Sequence, residues 1–389
     1  MMDNVKSTPR QELDRILSCK EPSRIIYAPN YWQWFKHQKD HNLLPEEISH
    51  CNTLLDLYDF LGVDVFSRNI YSDPEKYWFG GLCDEVIDGF EITENKSLTG
   101  NDKVVEKIYR CSRGTLDERL VYLFNESTLV QNKFLITDYV KEFGLFKSLV
   151  ENRRWIFNEE KFNDIRQRVG EKGVVIAGEF FSPLKMFHLA MGPVNSVYFL
   201  MEYPDNAKQL LTLHEKAQLD IITQCAENGV KVLMAMDNLD TMFHTPDYVR
   251  EYSASFYFRA SEICHAHGAK FMIHACGQQR DNLELISSLG IDGLEGVASP
   301  PLGDVMLDEA MALTHKGFII TGGISVMETR DLKTREEVFR YVERLFKKMV
   351  QYKDRFIFSA SCNTSTDTSW ETIINFRDAW LNYRDINQT

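Results

Sequence analysis

No stretch of about 20 apolar residues occurs in the 389-residue chain, so a membrane-spanning helix is not expected. The opening "MMDNVKSTPRQELDRILSCKEPSR" has no apolar core of the signal-peptide kind. An excess of basic residues is also missing. The formal net charge is −13, which argues against nucleic acid or an anionic membrane as the main partner. Low-complexity tracts, Gly/Pro/Ser-rich linkers and solenoid-type repeats are absent. So is a Gly-x-Gly-x-x-Gly fingerprint after the first strand-like run, which removes the usual sign of a dinucleotide fold. The eight cysteines are scattered rather than tightly spaced, so no disulfide framework is indicated and a reducing, cytoplasmic setting is expected.

What is present is an alternation. Eight short β-branched or apolar runs occur at residues 24–29, 62–67, 173–181, 229–237, 269–276, 290–297, 317–324 and 355–362. Helical stretches separate the later ones, at 206–228, 246–267 and 334–351. The second of these carries Thr245 as N-cap with Pro246 at the first helical position, and the third opens as the capping box "TREE". Eightfold strand–helix alternation predicts an α/β fold of the (β/α)8 barrel type, one domain over residues 1–389. The alternation breaks once. Residues 68–170 read as an insertion after the second strand, a hairpin turning at Arg113-Gly114 followed by helix, suited to a lid, substrate wall or dimer surface.

Barrel enzymes carry their chemistry at the C-terminal ends of the strands. Here those ends offer Tyr27, Asn30, Glu179, Asp237, Asn238, His274, Cys276, Glu295, Thr321, Ser325 and Cys362. In "MIHAC" the His-x-Cys spacing puts His274 and Cys276 on one face of a strand. Cys362 ends another strand. One histidine and two cysteines make three zinc-type ligands with a position open, and Glu295 is placed to fill it. Spacing alone leaves the alternative of buried core cysteines standing. Asp237 and Glu179 are candidates for proton transfer or substrate holding, or for scaffolding. Tyr27, Asn30, Tyr31, Phe180 and Asn238 are candidates for contact with substrate. The aromatic-rich "YAPNYWQWF" suits either an aryl-binding wall or packing. "CHAHG" closes a helix, where its histidines complement the dipole, and His37 and His41 lie on a solvated helix face.

Beyond this point a resemblance adds to the residues. The segments "TPDYVREYSASFYFRA", "KFMIHACGQQRDNLELISSLGIDGLEGV", "ITGGI" and "SASCNTSTDTSWETI", with "RGTLDERLVYL" and "GPVNSVYFLMEYPDNAKQLL" upstream, resemble the uroporphyrinogen decarboxylase superfamily. Within it they resemble the zinc-dependent, corrinoid-linked methyltransferases. The resemblance implies zinc at His274, Cys276 and Cys362. It implies methyl transfer between a small substrate and the cobalt of a separate corrinoid protein. An aryl methyl ether is the favoured substrate, a thiol of the coenzyme M kind the alternative, and porphyrinogen decarboxylation a second alternative. The arginine-rich Met-Arg-Gln-Ala-Gly-Arg element of the decarboxylases is replaced by "IYAPNYWQWFK", which leaves a tetracarboxylate without its cations. The cobalt-ligating Asp-x-His-x-x-Gly element is missing as well, because residue 263 is Ile. The corrinoid is therefore expected on a partner.

Overall fold

The computed structural model describes residues 7–71 and 81–385. Residues 72–80, part of the stretch read as an insertion, lie outside the described residues.

Eight parallel strands form one curled sheet. We number them β1 (Ile26–Tyr27), β2 (Val65–Ser67), β3 (Gly173–Phe180), β4 (Val232–Met236), β5 (Lys270–His274), β6 (Gly293–Val297), β7 (Ile319–Ile324) and β8 (Phe356–Ala360). Their order is β1-β8-β7-β6-β5-β4-β3-β2. The two ends of that list meet. The Asp64 N–H donates to the Tyr27 carbonyl at 2.9 Å, which brings β2 back against β1 and closes a (β/α)8 barrel. Asp64 reinforces the seam. Its carboxylate takes both outer nitrogens of Arg24, at 2.7 and 2.6 Å, and the Tyr27 N–H at 3.0 Å.

Alternation along the strands decides which side chains fill the barrel. Val232, Met234 and Met236 of β4 join Ile26, Phe66, Ile176, Met272, Ile319 and Ile357 in an interior cluster. Leu233 and Ala235 join Phe271, Ile273, Leu294 and Phe358 in the layer under the helices. This is the period-two rule applied to a sheet buried on both faces. A first helix, Pro9–Leu17, closes the N-terminal end of the barrel by placing Leu13, Ile16 and Leu17 on the interior cluster. The floor is therefore plugged, and the open end is the one where the strands finish.

The helix starts follow their local chemistry. Thr245 caps Pro246–Tyr252 by accepting from the Tyr248 N–H, and Thr334 forms a capping box with Glu337 on Arg335–Met349. The stretch 246–267 is two helices rather than one, broken at Ser253. Between β2 and β3 lies an antiparallel meander of four strands, Glu91–Thr99, Asp102–Cys111, Gly114–Leu123 and Thr128–Lys133. Cys111 pairs with Gly114, so the two-residue turn is Ser112-Arg113, one residue earlier than the sequence suggests. After the helix Phe143–Glu151, Arg153–Phe157 returns as a strand against Cys83–Ile87. Among the described residues, no helix is long and apolar enough to cross a membrane.

Candidate metal centre at the barrel mouth

Sheet register sets the site. Met236 aligns with His274, His274 with Glu295, and Glu295 with Thr321, so one row of side chains crosses four neighbouring strands at their C-terminal ends. β5 stops at His274, and Cys276 stands on the loop just beyond it. Two glycines shape this region. Gly277 takes a φ of +94°, and a Cβ there would meet the Asp240 carboxylate at 2.0 Å. Gly296 takes a φ of +123°, and its Cβ would meet the carbonyls of Ala275 at 2.2 Å and Ser361 at 3.1 Å. Those carbonyls belong to the residues just before Cys276 and Cys362. Only glycine lets the two cysteine-bearing segments close in across the end of β6.

The result is a cluster. One ligand atom each from His274, Cys276 and Cys362 lies within 4.8 Å of the others. His274 Nε2 is 3.9 Å from Cys362 Sγ, while Nδ1 is 3.4 Å from Glu295 Oε2. The histidine therefore turns one nitrogen to the sulfurs and the other to a carboxylate. That arrangement fixes ring orientation in metal-bound histidines. Glu295 is itself held, because Arg68 Nε donates to the same Oε2 at 2.9 Å. The donor set, two thiols and an imidazole nitrogen, fits a tetrahedral ion of the zinc type with one position left over.

The electrostatics point the same way. The interaction between the two facing thiols pushes Cys276 up and pulls Cys362 well below the ordinary thiol range, against the cost of burial there. His274 and Arg68 add to the pull on Cys362. Burial opposes charge on His274, yet Cys362 and Glu295 together raise its pKa above the ordinary value. Glu295 is fully enclosed, but Arg68 and His274 hold its carboxyl at about 2.

The other expected residues fall into two groups. Asn238 and Asn30 belong to the neighbourhood of the cluster. Asn238, at a φ of +52°, accepts from the Cys276 thiol at 3.5 Å. Asn30 donates from Nδ2 to Asn363 at 2.9 Å, and its carbonyl accepts from the Thr364 N–H at 3.0 Å. It thereby tethers the segment that follows Cys362 to the end of β1. Tyr27, Tyr31 and Phe180 are packed instead. Each is buried in the layer under the helices, and the hydroxyls of Tyr27 and Tyr31 bond each other at 2.6 Å.

The two remaining carboxylates are engaged. Asp237 is buried. It accepts from the Ser182 N–H at 2.9 Å on one oxygen and from the Tyr257 hydroxyl at 2.6 Å on the other. Burial raises its pKa, and these bonds hold it back. Glu179 accepts from the Leu82 and Cys83 N–H groups at 2.6 and 3.1 Å, and burial outweighs them to raise its pKa to about 7.

Arg68 is the residue that sequence reasoning missed. It is fully buried, touches Glu295 and Asn69, and keeps Nη2 without a partner. Its signal was a single arginine one residue past the apolar run "GVDVFS", at a strand end of a barrel.

Known proteins place this geometry in a family. No curated protein matches the chain in sequence. A solved methyltransferase from Methanosarcina mazei shares the fold, at a TM-score of 0.62 over 97% of this chain and 99% of that one, with 13% identity. The family model for uroporphyrinogen decarboxylase (URO-D) matches residues 160–383, which span β3 to the last helix and include every member of the three-ligand cluster. That match covers more than half of the sequence, and the chain belongs to the uroporphyrinogen decarboxylase family.

Proposed function

We propose that the protein is a zinc-dependent methyltransferase that moves a methyl group between a small substrate and the cobalt of a separate corrinoid protein. The observation that carries this reading is the convergence of His274, Cys276 and Cys362 within 4.8 Å at the open end of the barrel. Held by one neutral imidazole and two thiolates, zinc would have a formal charge near zero and supply a Lewis acid toward the oxygen or sulfur of the substrate.

The chain's own residues do the rest. His274 presents Nε2, with its tautomer set by Glu295 at Nδ1. Arg68 neutralises Glu295, so the buried carboxylate does not add charge to the ligand set. Asn238, whose side-chain amide lies 3.5 Å from the Cys276 sulfur, would turn its amide N–H to the thiolate, and Asn30 holds the segment behind Cys362. Asp237 and Glu179 act as positioning groups in this reading, because their oxygens are spent on Ser182, Tyr257, Leu82 and Cys83. Met242 and Phe243 beyond β4, and Leu302 beyond β6, are exposed on the same rim and offer apolar contact to a docking protein.

An aryl methyl ether is the first donor to try. Tyr27 and Tyr31 give it no direct support, since both rings are packed. The test mixes zinc-loaded protein with cob(I)alamin or a reduced corrinoid protein. It offers methoxybenzenes, methanol and methylated thiols in turn while the cobalt absorbance is followed. A donor-dependent spectral change that disappears in His274→Ala supports the reading. Zinc binding without transfer in either direction, from donor or to thiol, overturns it. Decarboxylation remains the second reading on the family match alone, and carbon dioxide release from a porphyrinogen by metal-free protein would favour it.

A further inference from the structure

We propose that the protein forms a symmetric dimer in which the strand Glu91–Thr99 pairs antiparallel with the same strand of a second copy, about an axis at Asn95. The surface belongs to the meander between β2 and β3, and the inference is independent of the metal centre.

The strand is an open edge. It stands first in the order of the four-stranded meander, so among the described residues only one of its sides is paired. Natural edge strands are blunted by shortness, proline, a bulge or a cover. This one is nine residues long, has no proline, and keeps an unbroken register with its neighbour, from Glu91 opposite Arg110 to Thr99 opposite Asp102. Every residue in it except Thr93 is exposed. Among the described residues its side chains make one polar contact, from Lys96 to Glu94 at 3.3 Å, within the strand itself. The other edge of the meander, Thr128–Lys133, is held. Gln131 donates to the Leu189 carbonyl of the helix Pro183–Glu202 at 2.8 Å, and the Ser127 carbonyl just before the strand accepts from Gln33 at 3.1 Å.

Backbone geometry decides which residues meet a partner. Thr99 and Asp102 close a two-residue turn, Gly100-Asn101. The closing pair of such a hairpin exchanges hydrogen bonds, so the odd-numbered residues of the strand spend their N–H and C=O groups on the neighbour. Ile92, Glu94, Lys96 and Leu98 therefore turn theirs outward, where an added strand would take them. The side chains of the same four residues share one face.

Charge selects both the occupant and the register. A twofold axis at Asn95 sets Glu94 opposite the partner's Lys96 and Ile92 opposite the partner's Leu98, and symmetry repeats each pair. Ile92 is 44% exposed and Leu98 70%, so both lose water on pairing. An axis at Glu94 or at Lys96 would instead bring that residue against its own like-charged copy. Opposite charges one residue to either side of Asn95, and apolar residues three to either side, are a self-complementary order. It fits a second copy of this strand with no other chain involved.

Sedimentation equilibrium on the full chain, at concentrations up to about 100 µM, should give a mass twice the 45.3 kDa of one chain. Lys96→Glu and Glu94→Lys each set like charges opposite one another at two places, and each should weaken the dimer about tenfold or more. Mixed one to one, the two variants should recover it, because the acidic strand of one then faces the basic strand of the other. That recovery also shows that both variants are folded. Asn95→Cys should cross-link with diamide far more than the unaltered protein. It meets its own copy at a pair without hydrogen bonds, where Cα atoms stand about 4.5 Å apart, within disulfide reach. Thr93→Cys, which faces the partner's Ser97, should not. A monomer at every concentration overturns the proposal. So does a dimer that ignores both charge changes, a mixture that does not recover, or an Asn95→Cys variant that cross-links no more than the unaltered protein.

Discussion

The barrel mouth has two sectors built from the same strand ends, and they solve opposite problems. Under β1, Tyr27, Tyr31, Tyr58 and Trp34 are buried, and each polar tip has a partner. Tyr27 bonds Tyr31, Tyr58 donates to the Pro29 carbonyl at 2.6 Å, and Trp34 donates to the Thr368 carbonyl at 2.8 Å. Around His274, Arg68 Nη2 and Thr321 Oγ1 are buried with hydrogen-bonding capacity unused. A sector whose polar groups are satisfied is finished by folding. A sector with spare donors, two facing thiols and a held carboxylate keeps polar capacity that folding has not used. The two sectors share a place at strand ends and differ in how far their polar atoms are satisfied.

The largest effect expected on this contrast is loss of metal. Cys276→Ser or His274→Ala should take zinc from about one per chain to a small fraction, and abolish any transfer, with little change in the aromatic sector. Metal analysis after gel filtration, beside near-ultraviolet circular dichroism, reads both. If zinc persists in both variants, the three-residue cluster is not the metal centre.

Next comes Glu295→Ala. It removes the group behind His274 and leaves Arg68 buried without its anion. Zinc affinity should fall by about 10–100-fold, as for other outer partners of metal-bound histidines. Stability should fall by about 3–5 kcal/mol, as when one member of a buried pair is deleted. Arg68→Met combined with Glu295→Ala should recover most of the stability and none of the affinity. Competition with a zinc chelator and urea unfolding separate the two quantities. Full recovery of both would reduce Glu295 to a scaffold.

The sequence makes one sector legible and the other only partly so. Eight short apolar runs alternating with helical stretches announce a barrel, because parallel strands buried on both faces impose such runs on local sequence. The three-residue cluster is legible in part for the same reason, since His-x-Cys and a distant cysteine mark strand ends, while spacing alone leaves buried core cysteines as the alternative. Arg68 is not, because a lone arginine carries no periodicity and its meaning comes from Glu295, which lies 227 residues away. The aromatic run "YAPNYWQWF" leaves two readings open in sequence, a binding wall or packing. Its residues have the composition of a binding wall, and only the three-dimensional hydroxyl pairing assigns Tyr27 and Tyr31 to packing. The meander after β2 is legible only in its central hairpin, and its outer strands are hidden. Glu91–Thr99 and Thr128–Lys133 are exposed or half-exposed along their length, so the apolar alternation that marks a strand is weak there.

Glu179 gives a third, smaller effect that tests whether a carboxylate at a strand end is spent on anchoring. Its pKa is raised from 4.5 to about 7 by burial. The folded protein therefore binds a proton more tightly than the unfolded chain. The stability that this contributes is complete below about pH 4.5 and is lost as pH rises through about 7. Melting temperatures should fall across that window and level off above it. In Glu179→Ala the fall should be reduced, and protease should cut near Leu82 and Cys83 faster. An unchanged pH slope would mean that other groups govern the window.

The smallest effect belongs to the aromatic sector. Tyr31→Phe leaves the Tyr27 hydroxyl buried without its partner and should cost about 1–3 kcal/mol. Replacing both tyrosines by Phe removes donor and acceptor together. The double variant should then be more stable than the single one, because no unsatisfied group is left behind. Zinc content and ligand binding should match the unaltered protein in both. That outcome needs the two hydroxyls to serve only each other. If the double variant folds normally and loses ligand affinity, the sector under β1 is part of the site, and its satisfied polar groups are preorganisation for binding rather than the end of folding.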